Sequence, residues 1–226
     1  MSTILITGAN RGIGLELARQ YAAEKWSVIA TCRDPKAANE LRALKGDIRI
    51  EALEVTDEKR LRAVAKALAG TPIDVLLNNA GMLTGYEGLG QTDTKSWLQT
   101  LHVNTIAPLH MVEAFIDHVA ASQQKKIASI TSGMGSIGGN SGGGAYAYRT
   151  SKAALNMAMA TAANELRARG VIVAVISPGW VKTDMGGAGA TLTPEESADG
   201  IRKVIAGLRP QASGRFFNYS GEEIPW

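Results

Sequence analysis

Short apolar runs alternate along the chain with longer segments of helical periodicity. The runs have the length and the Val, Ile and Leu content of buried strands, and they predict strands at residues 3–7, 27–32, 48–53, 73–77, 126–131, 171–177 and 215–217. The periodic segments predict helices at residues 12–23, 36–44, 57–69, 95–121, 148–169 and 194–208. This alternation predicts an α/β fold, a single doubly wound Rossmann-type domain over residues 1–226, with a parallel sheet of about seven strands and helices on both faces.

The first predicted strand leads into a glycine-rich loop that reads TGANRGIG over residues 7–14. Glycines at Gly8, Gly12 and Gly14 allow a tight turn and the close approach of a pyrophosphate, and the helix that follows offers free N–H groups. A plain glycine-rich turn is the alternative interpretation. The position of the loop, at the first junction between a strand and a helix, favours a dinucleotide site.

The end of the second predicted strand bears on the choice of dinucleotide. An acidic residue there would bind the adenosine ribose of NAD, and Asp34 is one candidate. Because Asp34 precedes Pro35 and a predicted helix, we interpret it instead as a helix N-cap. Arg33 and Arg11 would then bracket a 2′-phosphate by charge and fork geometry, which favours NADP(H); two solvated arginines are the alternative.

Tyr148 and Lys152 are the candidate catalytic pair. They stand four residues apart in a predicted helix, so they share one face, and a nearby ammonium is expected to lower the pKa of the phenol. The segment 133–144, in which seven of twelve residues are glycine, precedes them and is a candidate border of the substrate site. Ser132, at its start, is a candidate hydroxyl donor, and Ser136 is a substitute.

An asparagine in an apolar helical stretch needs hydrogen-bond partners, and Asn104 is such a residue. Pro108 is expected to kink the helix near it. Later along the chain, residues 193–196 read TPEE and predict a capping box with proline at the first helical position.

Composition narrows the class of partner. Lys and Arg exceed Asp and Glu by 24 to 21, without a basic block, so we expect no nucleic-acid or membrane partner. The chain enters an apolar run directly after Met1 and Ser2, which predicts no signal peptide, and Cys32 is the only cysteine, which favours a reducing, cytoplasmic location. His102 and His110 lack the spacing of metal ligands, and we predict no metal site.

Four motifs now stand in order: residues 7–14, the NNAG at 78–81, the Y-x-x-x-K at 148–152 and the P-G-x-x-x-T at 178–183. With them the sequence resembles the short-chain dehydrogenase/reductase family over essentially its whole length. The resemblance implies that Tyr148 donates a proton to a carbonyl oxygen that Ser132 also binds, that Lys152 supports Tyr148 and the nicotinamide ribose, and that Asn104 anchors a water. It also implies these cofactor contacts: Gly8, Asn10, Arg11, Gly12, Ile13, Gly14, Arg33, Val55, Asn79, Ala80, Gly81, Tyr148, Lys152, Pro178, Gly179, Val181 and Thr183.

The resemblance is to compact carbonyl reductases, and to members of the C-factor cell-signalling type. It implies an NADP(H)-dependent oxidoreductase that reduces a small ketone or aldehyde, or oxidises the alcohol. A dinucleotide-binding regulatory protein with incidental turnover is the alternative. Apolar residues around the helices at 95–121 and 148–169 predict a homodimer or homotetramer, since the family commonly pairs through these helices.

Overall fold

The computed structural model describes residues 1–226. Seven parallel strands form one sheet in the order β3-β2-β1-β4-β5-β6-β7, with β1 at Thr3–Ile6, β2 at Ser27–Cys32, β3 at Ile48–Ala52, β4 at Val75–Asn78, β5 at Lys126–Ile130, β6 at Ile172–Ser177 and β7 at Arg215–Asn218. The chain moves outward from β1 to β3 and then returns to β4 on the other side of β1. This reversal leaves a crevice beyond the carboxyl ends of β1 and β4, where doubly wound sheets bind their ligands.

Helices cover both faces of the sheet, and their bounds are α1 at Gly12–Ala23, α2 at Asn39–Ala43, α3 at Glu58–Ala67, α4 at Thr94–Leu101, α5 at Ala107–Ala120, α6 at Tyr146–Leu166 and α7 at Pro194–Gly207. The predicted capping box at the start of α7 is present: Thr193 and Glu196 exchange side-chain to backbone hydrogen bonds. The predicted Rossmann-type sheet is confirmed, with small shifts of element bounds.

Two apolar cores lie on opposite faces of the sheet. One contains residues of α1, α2 and α7, and the other contains residues of α3, α5 and α6. Strand β1 serves both, because Ile4 and Ile6 point into the first core and Leu5 into the second, and none of the three is exposed. The glycine-rich loop after β1 therefore starts from a strand that both cores hold in place.

The helix predicted at residues 36–44 is wrong at its start. Residues 35–37 form a turn, and α2 begins only at Asn39, after Ala38, which makes no side-chain cap. Asp34 is therefore not the N-cap of this helix. Its Oδ1 accepts hydrogen bonds from the N–H groups of Lys36 and Ala37, at 2.9 and 3.4 Å, a local turn that competes with helix formation.

The helix predicted at residues 95–121 is interrupted. A five-residue π-helical segment, His102–Ile106, joins α4 to α5, directly before the Pro108 that was expected to kink the helix. Proline has no N–H for the carbonyl four residues earlier, so the regular ladder cannot continue through Asn104. The wider turn directs the Asn104 side chain inward, where it is completely buried.

None of the helices combines the length and the apolar content needed to cross a bilayer.

Candidate active site

The loop after β1 and the turn after β4 meet where the strand order reverses. A Cβ atom on Gly8 would lie 3.0 Å from Cα of Ala80, and a Cβ atom on Gly14 would lie 2.3 Å from the carbonyl oxygen of Gly8. Gly8 also has a φ of +66°, which L side chains rarely adopt. A side chain at either position would push the segments apart, so this backbone requires glycine at both.

Hydrogen bonds fasten the NNAG turn to the glycine loop. The Thr7 hydroxyl oxygen accepts the N–H groups of Asn79 and Ala80, each at 3.0 Å. In return, the Asn79 side-chain amide donates to the carbonyl oxygens of Thr7 and Gly8, at 2.9 and 3.2 Å. Thr7 is 1% exposed, so water does not compete for its hydroxyl. The two motifs thus form one rigid unit at the crevice.

The N-terminus of α1 is free to bind an anion. Arg11 is its N-cap and makes no side-chain cap, and the first turn holds no acidic residue. Asn10 is exposed and Ile13 is half-buried on the same loop. Uncapped N–H groups and the positive end of the helix dipole together favour a phosphate at this position.

The two arginines expected to contact a 2′-phosphate lie at the surface. The side chains of Arg11 and Arg33 are 67% and 77% exposed. Arg11 donates to Asp184 at 2.7 Å, and Arg33 lies 3.9 Å from Glu54. Exposed ion pairs of this kind contribute about 0–1 kcal/mol, so they leave both guanidinium groups available to a dianion.

The segment after β6 returns to the glycine loop. At residues 178–183 the chain turns at Gly179, whose φ is +78° and where a Cβ atom would lie 2.5 Å from the Leu192 side chain. Val181 is buried and forms a β-bridge with Leu192. The Thr183 methyl group lies 3.2 Å from the position of a Cβ atom on Gly12. The segment 178–183 and the glycine loop, which form the two sides of the predicted cofactor site, are therefore in contact.

Lys152 is buried behind Tyr148 in the first two turns of α6. Its Nζ donates to the carbonyl oxygen of Ile130, at 2.9 Å, and lies 5.7 Å from the centroid of the Tyr148 ring. A Cβ atom on Gly81 would be 3.6 Å from Nζ, so the NNAG turn ends beside the ammonium group. Burial lowers the pKa of Lys152 to about 8.

Asn104 holds the chain beyond the NNAG turn. Its Oδ1 accepts the N–H of Met82 at 2.8 Å, and its Nδ2 donates to the Met82 carbonyl oxygen at 2.8 Å and to the Ser151 hydroxyl at 3.0 Å. These bonds use both N–H donors of the side-chain amide, so a water anchored by Asn104 would have to donate to Oδ1 or to the main-chain carbonyl oxygen. The expected role of Asn104 in anchoring a water stays a prediction.

The expectation that Lys152 lowers the pKa of Tyr148 is wrong for this structure. Burial raises the pKa of Tyr148, a hydrogen bond with Ser132 lowers it to a lesser extent, and Tyr86 raises it. The Lys152 ammonium group is directed to the Ile130 carbonyl oxygen, which explains why its charge does not determine the pKa of Tyr148. Burial thus favours the neutral phenol, the form that donates a proton.

Two serines differ from the sequence-based expectation. Ser136, the substitute for Ser132, is buried and donates to the Pro225 carbonyl oxygen at 2.6 Å, so it is not free for a substrate. Ser151 was missed: it is completely buried, accepts from Asn104 and donates to the Tyr148 carbonyl oxygen at 2.8 Å. A hydroxyl residue three positions after Tyr148, in a helix that must face the sheet, was the available signal.

These residues fit a nicotinamide dinucleotide. The glycine loop has no room for a side chain at Gly8 or Gly14, the N-terminus of α1 is uncapped, and Arg33 lies at the end of β2. A sequence model of the family described as short chain dehydrogenase matches residues 2–191. The chain belongs to the short-chain dehydrogenase family. Members of this family are oxidoreductases that bind a nicotinamide dinucleotide.

Individual relatives place the chain near carbonyl reductases of this family. The carbonyl reductase Sniffer of D. melanogaster has a TM-score of 0.94 and 32% identity, with complete coverage of both chains. The NADPH-bound carbonyl reductase from chicken fatty liver has a TM-score of 0.92 and 36% identity, covering 100% of this chain and 99% of that one. The C-signal protein of Myxococcus xanthus is 44% identical over 166 residues, which are 74% of this chain and 100% of the relative.

Proposed function

We propose that the chain is an NADP(H)-dependent reductase of small ketones or aldehydes, which also catalyses the reverse oxidation of the alcohol. The observation that carries the proposal is the placement of Tyr148 beside Ser132 and in front of the buried Lys152, at the carboxyl edge of the sheet. The carbonyl reductases among its relatives support the same class of substrate.

In the proposed reduction, the glycine loop and the N-terminus of α1 would hold a reduced nicotinamide dinucleotide, which would supply the hydride for the carbonyl carbon. Tyr148 gives its proton to the carbonyl oxygen, which becomes the alcohol hydroxyl, and Ser132 donates a hydrogen bond to that oxygen as negative charge develops on it. The resulting phenolate takes a proton from solvent. Lys152, at 5.7 Å from the ring centroid, stabilises the phenolate while it lasts.

The preference for NADP(H) rests on the two exposed arginines. Arg33 follows the last residue of β2, and Arg11 occupies the N-cap position of the helix that would bind the pyrophosphate. Guanidinium groups suit the dianionic 2′-phosphate, which NAD lacks. The chicken carbonyl reductase is bound to NADPH, and a related short-chain dehydrogenase/reductase of Burkholderia multivorans is bound to NADP, which supports the same choice.

The cofactor preference is tested by titrating the protein with NADPH and with NADH. We expect tighter binding of NADPH, and a loss of about ten- to a hundredfold for each of Arg11→Ala and Arg33→Ala, because one charge-assisted bond contributes about 1.5–3 kcal/mol. NADH affinity should change little in both variants. Equal or tighter binding of NADH by the unaltered protein would refute the preference.

The chemistry is tested with Tyr148→Phe, and Tyr146→Phe is the matched control. Both residues are half-buried tyrosines in the first turn of α6, but only Tyr148 interacts with Ser132. We expect carbonyl-dependent NADPH oxidation, measured with a panel of small aldehydes and ketones, to fall by about a hundredfold or more in Tyr148→Phe. It should stay near the original level in Tyr146→Phe. Unchanged turnover in Tyr148→Phe would disprove the mechanism.

A regulatory protein whose turnover is incidental is the second candidate, and the resemblance to C-signal supports it. The two functions differ in what the binding site must retain. A regulator needs the dinucleotide but not the proton donor. If NADPH binds with micromolar affinity while the whole panel of carbonyls gives no NADPH oxidation, the regulatory function is favoured.

For the assembly, we propose a homodimer or homotetramer formed through α4, α5 and α6. Leu98, Ile106 and Met157 are apolar but 62%, 43% and 69% exposed, and they lie on α4, the π-helical segment and α6. Apolar residues on adjoining helices are typical of an interface. Light scattering should give a mass of two or four chains, and Met157→Glu should reduce it; a monomer of the unaltered protein would contradict the proposal.

We also propose a cytosolic location. The one cysteine, Cys32, is buried and free, so the fold does not depend on a disulfide. Fractionation of cells would test this, and recovery of the protein outside the cytosol would contradict it.

A further inference from the structure

The residues after β7 fold back along that strand. The N–H of Ile224 donates to the Phe216 carbonyl oxygen at 2.8 Å, and the N–H of Asn218 donates to the Glu222 carbonyl oxygen at 2.7 Å. An ion pair between Arg215 and Glu223, at 2.9 Å, adds to this antiparallel contact. The tail, defined here as residues 222–226, therefore covers the outer edge of the sheet.

Beyond β7, the tail reaches the glycine-rich segment that follows Ser132. The Ser136 hydroxyl donates to the Pro225 carbonyl oxygen at 2.6 Å, and the N–H of Gly138 donates to the main-chain oxygen of Trp226 at 2.6 Å. Ser136 also accepts the N–H of Gly139 at 2.9 Å. The start of the glycine-rich segment is thus bound to the tail.

The Trp226 side chain fixes the position of the tail. Its ring stacks on Phe216 with centroids 5.7 Å apart and planes at 29°. Phe216 is 1% exposed and belongs to the apolar core that also contains Leu155 of α6. The two main-chain oxygens that hold the glycine-rich segment are therefore carried by a tail that is anchored in the core.

The same segment contacts the catalytic pair on its other side. A Cβ atom on Gly135 would lie 2.8 Å from Cβ of Lys152, and the N–H of Gly135 donates to the Ser132 carbonyl oxygen at 2.9 Å. Asn156 of α6 donates to the Gly135 carbonyl oxygen at 3.3 Å. Gly135 therefore packs directly on α6, while Ser136, the next residue along the chain, is bound to the tail.

We propose that Trp226 and Pro225 are positioning residues: they hold the glycine-rich segment through Ser136 and Gly138, and so place the Ser132 hydroxyl against the substrate oxygen. The inference rests on the proposed reductase function. A segment this rich in glycine loses much backbone freedom when it is ordered, so it needs an external anchor. The tail supplies that anchor from an element that contributes nothing to the cofactor cradle.

The test compares Trp226→Ala with Trp26→Ala. Trp26 is also a partly exposed tryptophan against a buried aromatic ring, that of Tyr21 at 4.9 Å, but it lies before β2, on the other side of β1 from β7. We expect Trp226→Ala to lower kcat for carbonyl reduction by about ten- to a hundredfold, since a shift of about 1 Å in a positioning group has this effect. NADPH affinity should stay within about twofold, and Trp26→Ala should keep the original kcat even where its thermal stability falls equally.

Two further variants separate positioning from general damage. Trp226→Phe keeps a ring on Phe216 and should restore most of kcat. Ser136→Ala keeps the tail intact but removes its hydroxyl contact, and it should lower kcat with unchanged NADPH affinity; it also serves as the test if Trp226→Ala does not fold. A kcat within twofold of the original in both Trp226→Ala and Ser136→Ala would overturn the proposal, and so would equal losses in Trp226→Ala and Trp26→Ala.

The proposed function can fail separately. If Tyr148→Phe keeps full turnover, the reductase mechanism is wrong. If Tyr148→Phe is inactive while the two tail variants are fully active, only the role of the tail is wrong.

Discussion

Replacement of Thr7 by valine tests whether the NNAG turn depends on one hydroxyl group. Valine has almost the same shape but no acceptor, so the N–H groups of Asn79 and Ala80 would each lose a 3.0 Å hydrogen bond. A buried donor without a partner costs about 1–3 kcal/mol. Because both donor residues are half-buried, we expect Thr7→Val to lower the free energy of unfolding by about 2–4 kcal/mol.

A neighbouring strand offers a matched control, in which the same substitution is not expected to lower the free energy of unfolding. Thr31 is completely buried, and its hydroxyl has no hydrogen-bond partner. The same substitution there removes an unsatisfied polar group, so Thr31→Val should leave the free energy of unfolding unchanged or raise it by up to about 1 kcal/mol. Thr7→Ser, which retains the acceptor, should cost less than Thr7→Val.

The assay is urea unfolding followed by circular dichroism, without added NADPH, because a ligand that binds the folded chain would mask the difference. Thermal unfolding should show Thr7→Val about 5–15 °C below the original protein, since about 2–4 °C per kcal/mol applies to chains of this size. Equal effects of Thr7→Val and Thr31→Val would refute the reasoning.

Two other predictions concern a glycine and a charge. In Gly14→Ala the new Cβ would lie 2.3 Å from the Gly8 carbonyl oxygen and 2.5 Å from Nδ2 of Asn79, so NADPH binding and thermal stability should both fall sharply. The control is Gly207→Ala, where a Cβ contacts nothing within 4 Å and neither property should change. A Gly14→Ala protein with the original stability and NADPH affinity would contradict the geometry. Burial lowers the pKa of Lys152 from 10.5 to about 8, so between these pH values the unfolded chain binds one more proton than the folded chain. Burying the charged lysine therefore lowers the free energy of unfolding by its full amount below pH 8, and this loss disappears as the pH rises to 10.5. Lys152→Met should therefore be more stable than the original protein at pH 8, and this difference in the free energy of unfolding should shrink by about 3 kcal/mol between pH 8 and pH 10.5. Urea unfolding of both proteins across this pH range measures the difference, and a difference that does not change with pH would contradict the prediction.

Local sequence patterns predicted much of the fold and the glycine loop of the candidate cofactor site. The strand and helix periods predicted the sheet, and the spacing of Gly8, Gly12 and Gly14 predicted a cradle that the backbone does require. The capping box before α7 was also readable, because its residues are neighbours in sequence. Features of this kind depend on interactions within a few residues of each other.

Features that depend on distant contacts could not be read in the same way. The Thr7 hydroxyl finds its donors 72 and 73 residues away, and Ser136 finds Pro225 89 residues away. The direction of the Tyr148 pKa shift also needed the structure, because helical spacing places Lys152 near the phenol but does not say which carbonyl oxygen its ammonium group chooses. Burial and tertiary hydrogen bonds decided these points.

The central claim is that the Tyr148 phenol donates the proton in carbonyl reduction. The most direct measurement is a stopped-flow single turnover, in which protein saturated with NADPH is mixed with an excess of a reactive aldehyde and the loss of NADPH absorbance is followed. Our account predicts that Tyr148→Phe lowers this rate constant by about 10²–10⁴, while the Kd for NADPH changes by less than about threefold. A rate constant equal to that of the original protein, at saturating NADPH, would contradict it.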